Sequence, residues 1–276
     1  MTLKGKWGSA TVGILTITDE EASVVTEAFG LTERIRGTSY KKHPAEVNNS
    51  ELTLVHRRIS HQTNVISVAD SGELIEDFRP ELLIMIGTAG GHSGRDGVAL
   101  GDVVVANYLD YSGYWKYKPD AVLERKLPHD HPSRYLLQGF VETLRSELTN
   151  WISKISITRP APGQPKVLIG GIVSGNSLLG DPDNAEQRRI LEHFDKSYAF
   201  EMEGFGLATA VYRARGSVHY NPQFLLVRGI SDLVNTGGES NQEDRVEWTP
   251  YAVSSATAFV QLLLEDVFKV KGLRMP

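Results

Sequence analysis

Six short runs of apolar, mostly β-branched residues are spread along this chain, and stretches with helical spacing lie between most of them. The apolar runs cover residues 11–17, 63–69, 81–87, 102–108, 166–174 and 224–231. Their nearly continuous hydrophobicity is typical of strands that are buried on both faces. The stretches with helical spacing cover residues 20–29, 133–148, 185–194, 205–214 and 251–268. This alternation predicts an α/β fold with a central, twisted, mixed or mainly parallel sheet flanked by helices.

Two segments follow neither pattern. Residues 111–132 are rich in Pro, Tyr and charge, whereas residues 235–250 are polar and contain Gly. Both are predicted to be long surface loops, which in compact domains are often functional. Neither has the composition of a linker, and the chain contains no internal repeat. We therefore predict a single domain over residues 1–276.

The composition limits which partners and which cellular compartment are expected for this protein. The chain has 276 residues, a formal net charge of −5 and no cysteine. An acidic chain does not carry the basic footprint of a nucleic-acid-binding protein. No apolar run is long enough to cross a bilayer, and the N-terminus lacks the apolar region of a signal peptide. A chain without cysteine is compatible with a reducing compartment. We expect a cytoplasmic protein with neither a nucleic acid nor a membrane as partner.

Two motifs are compatible with a ligand site or a metal site but do not require one. The Gly-rich stretch IGTAGGHSG (86–94) follows a predicted strand but does not match a dinucleotide or P-loop pattern. It is either a tight turn against the sheet or a place where a ligand approaches bare backbone N–H groups. The HDH stretch (129–131) lies between Pro128 and Pro132, which favours a solvated loop over a metal site.

Carboxylates in apolar surroundings are the strongest chemical signal. The stretch SYAFEMEGFG (197–206) has the pattern of a buried strand that turns into a helix, yet it contains Glu201 and Glu203. Two residues apart on an extended segment, these side chains share one face. A buried acid costs several kcal/mol unless it has a partner, so one of the two is expected to pair with a buried cation. Arg228 is the candidate partner for Glu201.

Further acids stand at other predicted strand ends. Asp232 follows the run 224–231, where ligands gather in α/β folds, although an Asx turn or a helix N-cap would also explain it. Asp19, Glu20 and Glu21 occupy the first strand–helix junction, where acids also complement the helix dipole. Several carboxylates in one cleft suit a reaction that develops positive charge. Cleavage of a glycosidic bond is such a reaction, with one acid protonating the leaving group and another activating water.

The order of five motifs resembles the purine nucleoside phosphorylase/uridine phosphorylase superfamily, most closely its 5′-methylthioadenosine/S-adenosylhomocysteine nucleosidases. The motifs are VGILTITDEEA, IMIGTAGGHSGRDGVALGDVVVAN, GGIVSGNSLLGD, AFEMEGFGLA and LLVRGISDLVN. They extend from about residue 11 to residue 232. The stretch WTPYAVSSATAFVQLLL resembles the branch in which such domains occur in bacterial defence and signalling proteins. The resemblance implies a nucleoside phosphorylase/hydrolase-like fold.

The resemblance also implies roles for individual residues. Glu203 corresponds to the glutamate that binds both ribose hydroxyls, and Met202 to the residue that packs on the sugar. Asp232 corresponds to the acid that protonates the imidazole nitrogen of the purine, and Glu21 to the base that takes a proton from water. Other implied substrate-binding residues are Thr88, Ala89 and Gly90 near the sugar and Ser174, Asn176 and Leu178 at the base.

Departures from the family pattern affect the expected nucleophile and the expected binding of the purine base. Phosphorylases carry a phosphate-binding Arg where this chain has Met85, and their N-terminal Gly-Asp-x-x-Arg motif is replaced by TITDEEA. Without these cations phosphate has little to hold it, which favours water. Asn176 stands where an Asp is common and Leu178 where an aromatic residue usually stacks on adenine. The resemblance does not fix the substituent on the 5′ carbon of the ribose. If this substituent is a phosphate, the candidates to bind it are Lys116, Lys118, His92 and Arg95.

The leading hypothesis is a purine nucleosidase that hydrolyses an adenine-type nucleoside or nucleotide, in a defence or signalling context. It would need no metal or organic cofactor and would form a homodimer. A phosphorylase with an unusual phosphate site is the alternative among enzymes. A nucleotide-sensing module with little turnover is the alternative from another class.

Overall fold

The computed structural model describes residues 9–47, 50–92, 94–95, 97–216, 219–235 and 239–268. Five of the six predicted strands form, and further short strands join them. The strands are β1 (Ser9–Thr16), β2 (Glu33–Arg34), β3 (Lys41–Val47), β4 (Ser50–Arg58), β5 (Leu82–Gly91), β6 (Val103–Tyr111), β7 (Trp115–Lys118), β8 (Ala121–Glu124), β9 (Val167–Ser174), β10 (Ser197–Glu201) and β11 (Gln223–Leu233).

Nine of these strands form one mixed sheet, which confirms the predicted fold class. Their order is β10-β9-β6-β11-β5-β1-β4-β3-β2. Strand β5 is parallel to both β1 and β11, so the carboxyl ends of these strands lie at one edge. That edge is where ligand sites gather in α/β folds.

The sheet curls because β5, which pairs with β11 along one edge, has two successive partners along its other edge. Its first half pairs with β1, from Leu82 to Met85, whereas its end pairs antiparallel with β10 through Gly90 and Gly91. Strand β10 also pairs with β9. This closure brings the end of β10 against the end of β5 and encloses the space between them.

The helices cover both faces of the sheet and include all five predicted helical stretches. They are α1 (Asp19–Ala28), α2 (Asn64–Phe78), α3 (Arg134–Leu136), α4 (Glu142–Leu144), α5 (Leu148–Ile152), α6 (Ala185–His193), α7 (Gly204–Ala214) and α8 (Glu239–Phe268), with a π-helical turn at 137–141 between α3 and α4. One apolar core lies beneath α1 and α8 and another beneath α2 and α7. Helix α8 approaches β11 closely: a methyl group on Gly229 would lie 1.9 Å from the carbonyl oxygen of Ala252.

The strand predicted over residues 63–69 is wrong, because this segment begins α2. Thr63 caps the helix by accepting a hydrogen bond from the Ile66 N–H. The inward-facing positions recur every three or four residues but start with Asn64, Ser67 and Asp70. Because these residues are polar or small, the helical period does not appear as a hydrophobic pattern. Val65, which contributes to the apolar run, is 72% exposed.

The loop predicted over residues 235–250 is also wrong in its described part, since α8 already begins at Glu239. Its first turns are polar because one face lines a cavity. Pro250 lies within the helix, and a proline there is a common reason to predict a helix end. Trp248 and Tyr251 are buried and tie this part of the helix to the sheet.

The loop predicted over residues 111–132 is replaced in part by a hairpin. Strands β7 and β8 pair antiparallel and form a two-stranded sheet of their own. Exposed apolar side chains in and around this hairpin include Tyr117, Val122 and Leu123. The remainder, residues 125–133, has no regular secondary structure, as predicted.

Candidate active site

A cavity of about 560 Å³ opens at the edge where β1, β5 and β11 end. Its walls come from the β1–α1 junction, the end of β5, the β9–α6 loop, the β10–α7 junction, the end of β11 and the first part of α8. Eight of the ten predicted site residues line this cavity: Glu21, Thr88, Ala89, Gly90, Leu178, Met202, Glu203 and Asp232. Topology therefore gathers residues from five separate motifs.

Glu201 forms the buried ion pair that the sequence predicted. Its Oε2 lies 2.5 Å from Nη2 of Arg228, and both side chains are at most 1% exposed. The same oxygen accepts hydrogen bonds from the backbone N–H groups of Glu203, at 3.0 Å, and Gly204, at 2.8 Å. Glu201 thus holds the start of α7 as well as Arg228, and it has little capacity left for a ligand.

Glu203 also faces the buried Arg228, but at a longer distance than Glu201. Its Oε2 is 3.4 Å from Arg228 Nη2, and its backbone carbonyl accepts a hydrogen bond from Ser67 Oγ at 2.8 Å. Burial, followed by the charge of Glu201, raises the pKa of Glu203 to about 8. Unlike Glu201, this carboxyl group keeps acceptor capacity that faces the cavity.

Glu21 bridges the ends of β1 and β5. Its Oε2 accepts hydrogen bonds from the N–H groups of Ile17, at 2.8 Å, and Thr18, at 3.0 Å. Its Oε1 accepts from the N–H of Thr88, at 2.8 Å, and from the Thr88 hydroxyl, at 3.2 Å. Thr18 and Glu21 also form a reciprocal capping box at the start of α1, so Glu21 stabilises the helix and faces the cavity.

Glu21 and Arg228 meet beside Gly87. A methyl group on Gly87 would lie 2.2 Å from Arg228 Nη1 and 2.7 Å from Glu21 Oε1. Neither Nη1 nor Nε of Arg228 has a hydrogen-bond partner among the described residues. A donor and a carboxylate therefore flank the α-carbon of Gly87, and only glycine leaves room for both.

Asp232 is held by three side chains. Ser231 Oγ donates to Oδ1 at 2.8 Å, while Asn241 Nδ2 donates to Oδ2 at 3.1 Å. Arg245 forms an ion pair with Oδ2 at 2.9 Å. Asp232 lies within β11 next to a register shift, so neither the helix N-cap nor the Asx turn considered from the sequence accounts for its position.

The sequence reasoning missed Asn241 and Arg245, because both fall in the segment that was predicted as a loop. The missed signal is a helical period in a polar stretch. Gln242, Arg245, Val246 and Thr249 line the cavity at spacings of three and four residues. These spacings place all four on one face of α8.

Two predicted substrate-binding residues, Ser174 and Asn176, do not line the cavity. The Ser174 hydroxyl is fully buried, donates to Asn64 Oδ1 at 2.9 Å and accepts from the Phe205 N–H at 3.1 Å. Asn176 Nδ2 donates to the Tyr111 hydroxyl at 2.9 Å. The protein itself uses both side chains, and the prediction that residues 174–178 border the base, largely through backbone groups, stays a prediction. Their neighbours Gly175, Ser177 and Leu178 line the cavity instead.

The cations proposed for a 5′-phosphate lie elsewhere. Lys116, Lys118, His92 and Arg95 are not among the residues that line the cavity. Within the described part of the chain, no group of three or more His, Asp or Glu side chains could hold a metal ion. No helix in those same residues has the length and apolar character needed to cross a membrane.

Comparisons with known proteins agree with this fold. The family model described as "Phosphorylase superfamily" matches residues 11–265. A 5′-methylthioadenosine/S-adenosylhomocysteine nucleosidase of Listeria monocytogenes serotype 4a is 27% identical over 270 residues, covering 92% of this chain and 98% of the relative. A solved S-adenosylhomocysteine nucleosidase of Streptococcus pyogenes, in complex with 5-methylthiotubericidin, aligns with a TM-score of 0.68 at 23% identity, covering 94% of this chain and 98% of that one. The 5′-methylthioadenosine/S-adenosylhomocysteine nucleosidase of Neisseria meningitidis, in complex with methylthio-immucillin-A, aligns with a TM-score of 0.67 at 18% identity, covering 93% and 99%.

Proposed function

Because this chain belongs to the phosphorylase superfamily, we propose that it is a purine nucleosidase. It hydrolyses the N-glycosidic bond of an adenine-type nucleoside or nucleotide and releases the free base and the ribosyl product. The observation that carries this proposal is that an acid, Asp232 on β11, and a base, Glu21 in the first turn of α1, line one cavity together with Glu203 at the start of α7. The nucleosidases among the similar proteins support the same reaction.

Ribose binding falls to Glu203 and Met202. An ionised Glu203 accepts one hydrogen bond from each hydroxyl of the ribose diol, and these bonds are charge-assisted. The low dielectric of the buried site strengthens them. Met202 supplies an apolar surface against the sugar, and its flexible side chain adapts to the shape of the ring.

Departure of the base depends on Asp232. Its proton passes to the imidazole nitrogen of the purine as the bond between C1′ and the base breaks, so the base leaves as a neutral molecule. Arg245, at 2.9 Å, stabilises the carboxylate that remains after this transfer. The carboxylates near the sugar stabilise the oxocarbenium-like charge that develops on the ribose.

Water is activated by Glu21. Glu21 lines the cavity, and a water molecule there can donate a hydrogen bond to its Oε1 in place of the rotatable Thr88 hydroxyl. Glu21 takes one proton as the water oxygen bonds to C1′. The water therefore meets its base in the first turn of α1, beside the end of β5.

The charge of the cavity favours water over phosphate as the nucleophile. Five acids line it, namely Glu20, Glu21, Glu201, Glu203 and Asp232. Among the described lining residues Arg245 is the one cation, and it is paired with Asp232. An anionic nucleophile would be repelled by this set, whereas neutral water would not. This observation favours hydrolysis over the phosphorylase alternative.

Incubation of the protein with purine nucleosides and nucleotides, with and without phosphate, tests the proposal. Chromatography should show free base in phosphate-free buffer and free ribosyl product rather than ribose 1-phosphate. Asp232→Asn and Glu21→Gln should each reduce base release by about 10²–10⁴-fold while the circular dichroism spectrum is retained. Strict dependence on phosphate, or full activity in either variant, would refute the assignment. Ligand-induced stabilisation without base release would indicate a sensing module instead.

The proposal extends to assembly and compartment. We infer one domain over residues 1–276 that acts as a homodimer in the cytoplasm. The exposed apolar side chains around the β7–β8 hairpin support a protein contact, since clustered apolar exposure marks interaction surfaces. The absence of cysteine from the sequence suits a reducing compartment.

A further inference from the structure

The cavity has two ends with different chemistry. At one end, Val173, Ile190, Phe200 and Val234 belong to a single buried apolar cluster. A methyl group on Gly90 would contact both Val234, at 2.6 Å, and Asp232, at 3.2 Å, so this apolar end adjoins the acid. An apolar pocket beside a proton donor suits the purine base.

The other end is polar. Thr18, Glu20 and Gln62 line it from the β1–α1 and β4–α2 connections. Strands β1 and β4 are parallel neighbours in which Thr16 pairs with Arg58, so these connections leave the same edge of the sheet side by side. Neither Glu20 nor Gln62 has a side-chain hydrogen-bond or ion-pair partner among the described residues. The Thr18 hydroxyl accepts a bond from the Glu21 N–H and keeps its own proton to donate.

The order of the strands fixes how a nucleoside spans these ends. From Asp232 on β11 the edge runs through β5 and β1 to β4, which is three strand spacings or roughly 14 Å. Glu203 lies beside the first turn of α2, because its backbone carbonyl is bonded to Ser67, and this turn follows the β4–α2 connection that carries Gln62. With the base at Asp232 and the diol at Glu203, the 5′ carbon points toward Thr18 and Gln62.

From this placement we propose that the enzyme selects a nucleoside whose 5′ substituent is an uncharged hydrogen-bonding group, the hydroxyl being the smallest. This inference rests on the proposed nucleosidase function and names its substrate class. Thr18 and Gln62 present donors and acceptors to such a group. An alkylthio substituent would leave them without partners, which lowers its affinity. Glu20 and the other acids of the cavity disfavour a 5′-phosphate.

Binding and turnover together test the proposal with adenosine, 5′-methylthioadenosine and adenosine 5′-monophosphate. Calorimetry on the Glu21→Gln variant measures dissociation constants without turnover, and base release by the wild type gives kcat/KM. Adenosine should be preferred over 5′-methylthioadenosine by about tenfold, the effect of one hydrogen bond. Gln62→Leu should shift that ratio by about tenfold toward the alkylthio nucleoside. Glu20→Gln should improve the relative affinity for the monophosphate severalfold. His61→Leu, an exposed neighbour that does not line the cavity, is the matched control and should change neither ratio.

The outcomes separate the two proposals. A preference for adenosine over 5′-methylthioadenosine that decreases in Gln62→Leu supports the selection of an uncharged polar 5′ group. Preference for 5′-methylthioadenosine or for the monophosphate, or a ratio that Gln62→Leu leaves unchanged, overturns it. Selective binding of adenosine without base release would refute the nucleosidase function but keep the 5′ selectivity. Failure of all three compounds to bind would overturn both.

Discussion

Glu201 and Glu203 stand two residues apart and face the same cation, yet their removal should have opposite consequences. Glu201→Ala removes the carboxylate that lies 2.5 Å from Arg228 and leaves a fully buried guanidinium without its closest partner. Glu203→Ala removes a carboxyl group that lies 3.4 Å from the same cation and whose ionisation burial opposes. We therefore expect the first change to reduce stability and the second to reduce activity.

The magnitudes follow from the two environments. Breaking a buried ion pair from one side typically costs about 3–5 kcal/mol. At about 2–4 °C per kcal/mol for a chain of this size, Glu201→Ala should lower the Tm by roughly 6–20 °C. The value should fall in the lower part of this range, since Glu203 can move onto Arg228. Glu203→Ala should change the free energy of unfolding by less than about 1 kcal/mol, because it also removes the cost of burying an acid.

The loss of activity in Glu203→Ala is derived from its hydrogen bonds to the ribose. Two hydrogen bonds to a charged group contribute about 1.5–3 kcal/mol each. Their removal should lower kcat/KM by about 10²–10⁴-fold, since 1.4 kcal/mol corresponds to a factor of ten. Thermal unfolding followed by circular dichroism and base release at fixed pH measure the two effects separately. Glu142→Ala is the matched control, because this glutamate is 46% exposed and pairs only with exposed Arg145 among the described residues.

A double variant sharpens the test. Replacing Arg228 by Met in the Glu201→Ala background removes the unpaired buried charge and should recover part of the lost stability. If Glu203→Ala instead unfolds the protein while Glu201→Ala keeps its Tm, the assignment of the two glutamates is reversed. If the Arg228→Met change adds further destabilisation, burial of an unpaired charge is not the cause of the loss.

Four further outcomes are expected. The folded-state pKa of Glu203, about 8, lies above its ordinary value of 4.5. The KM of the wild type should therefore fall as the pH rises from 6 to 8, because the ionised form accepts hydrogen bonds from both ribose hydroxyls. The KM of Glu203→Gln, measured over the same pH range, should not fall. The stability contributed by the Glu203 proton is lost as the pH rises between those two pKa values, so Glu203→Gln should gain stability relative to the wild type over that range in urea titrations; a loss would contradict the raised pKa. Gly87→Ala places a methyl group 2.2 Å from Arg228 Nη1 and 2.7 Å from Glu21 Oε1. The methyl group displaces Glu21, so kcat should fall by about 10²-fold or more, and unchanged turnover would contradict the role of Glu21 as the base. Ser174→Ala breaks two buried hydrogen bonds of the protein and should lower the free energy of unfolding by about 1–3 kcal/mol with KM unchanged. A raised KM at normal stability would show instead that this side chain contacts the substrate.

The elements that the sequence predicted correctly are those whose surroundings are uniform along their length. Strands such as β5 and β11 are apolar throughout because both faces are covered, so their pattern is visible without knowledge of the neighbours. Helix α2 and the start of α8 were missed for one common reason. The inward faces of their first turns meet polar groups or a cavity rather than the apolar cores, so the hydrophobic period on which prediction relies is absent there.

For the site, the sequence alone determined which chemistry is available. The chain is acidic, lacks cysteine, and has carboxylates at several strand ends and an Arg in a buried strand. This set of residues allows acid–base cleavage of a glycosidic bond. The ion pair predicted between Glu201 and Arg228 is confirmed. Only the tertiary structure decided which side chains remain free to act. Ser174 and Asn176 are engaged within the protein, whereas Arg245 reaches Asp232 from a helix that the sequence did not reveal. The physical reason is that hydrogen-bond capacity and burial depend on neighbours distant in the chain, and the curl of the sheet at β5 and β10 is what brings those neighbours together.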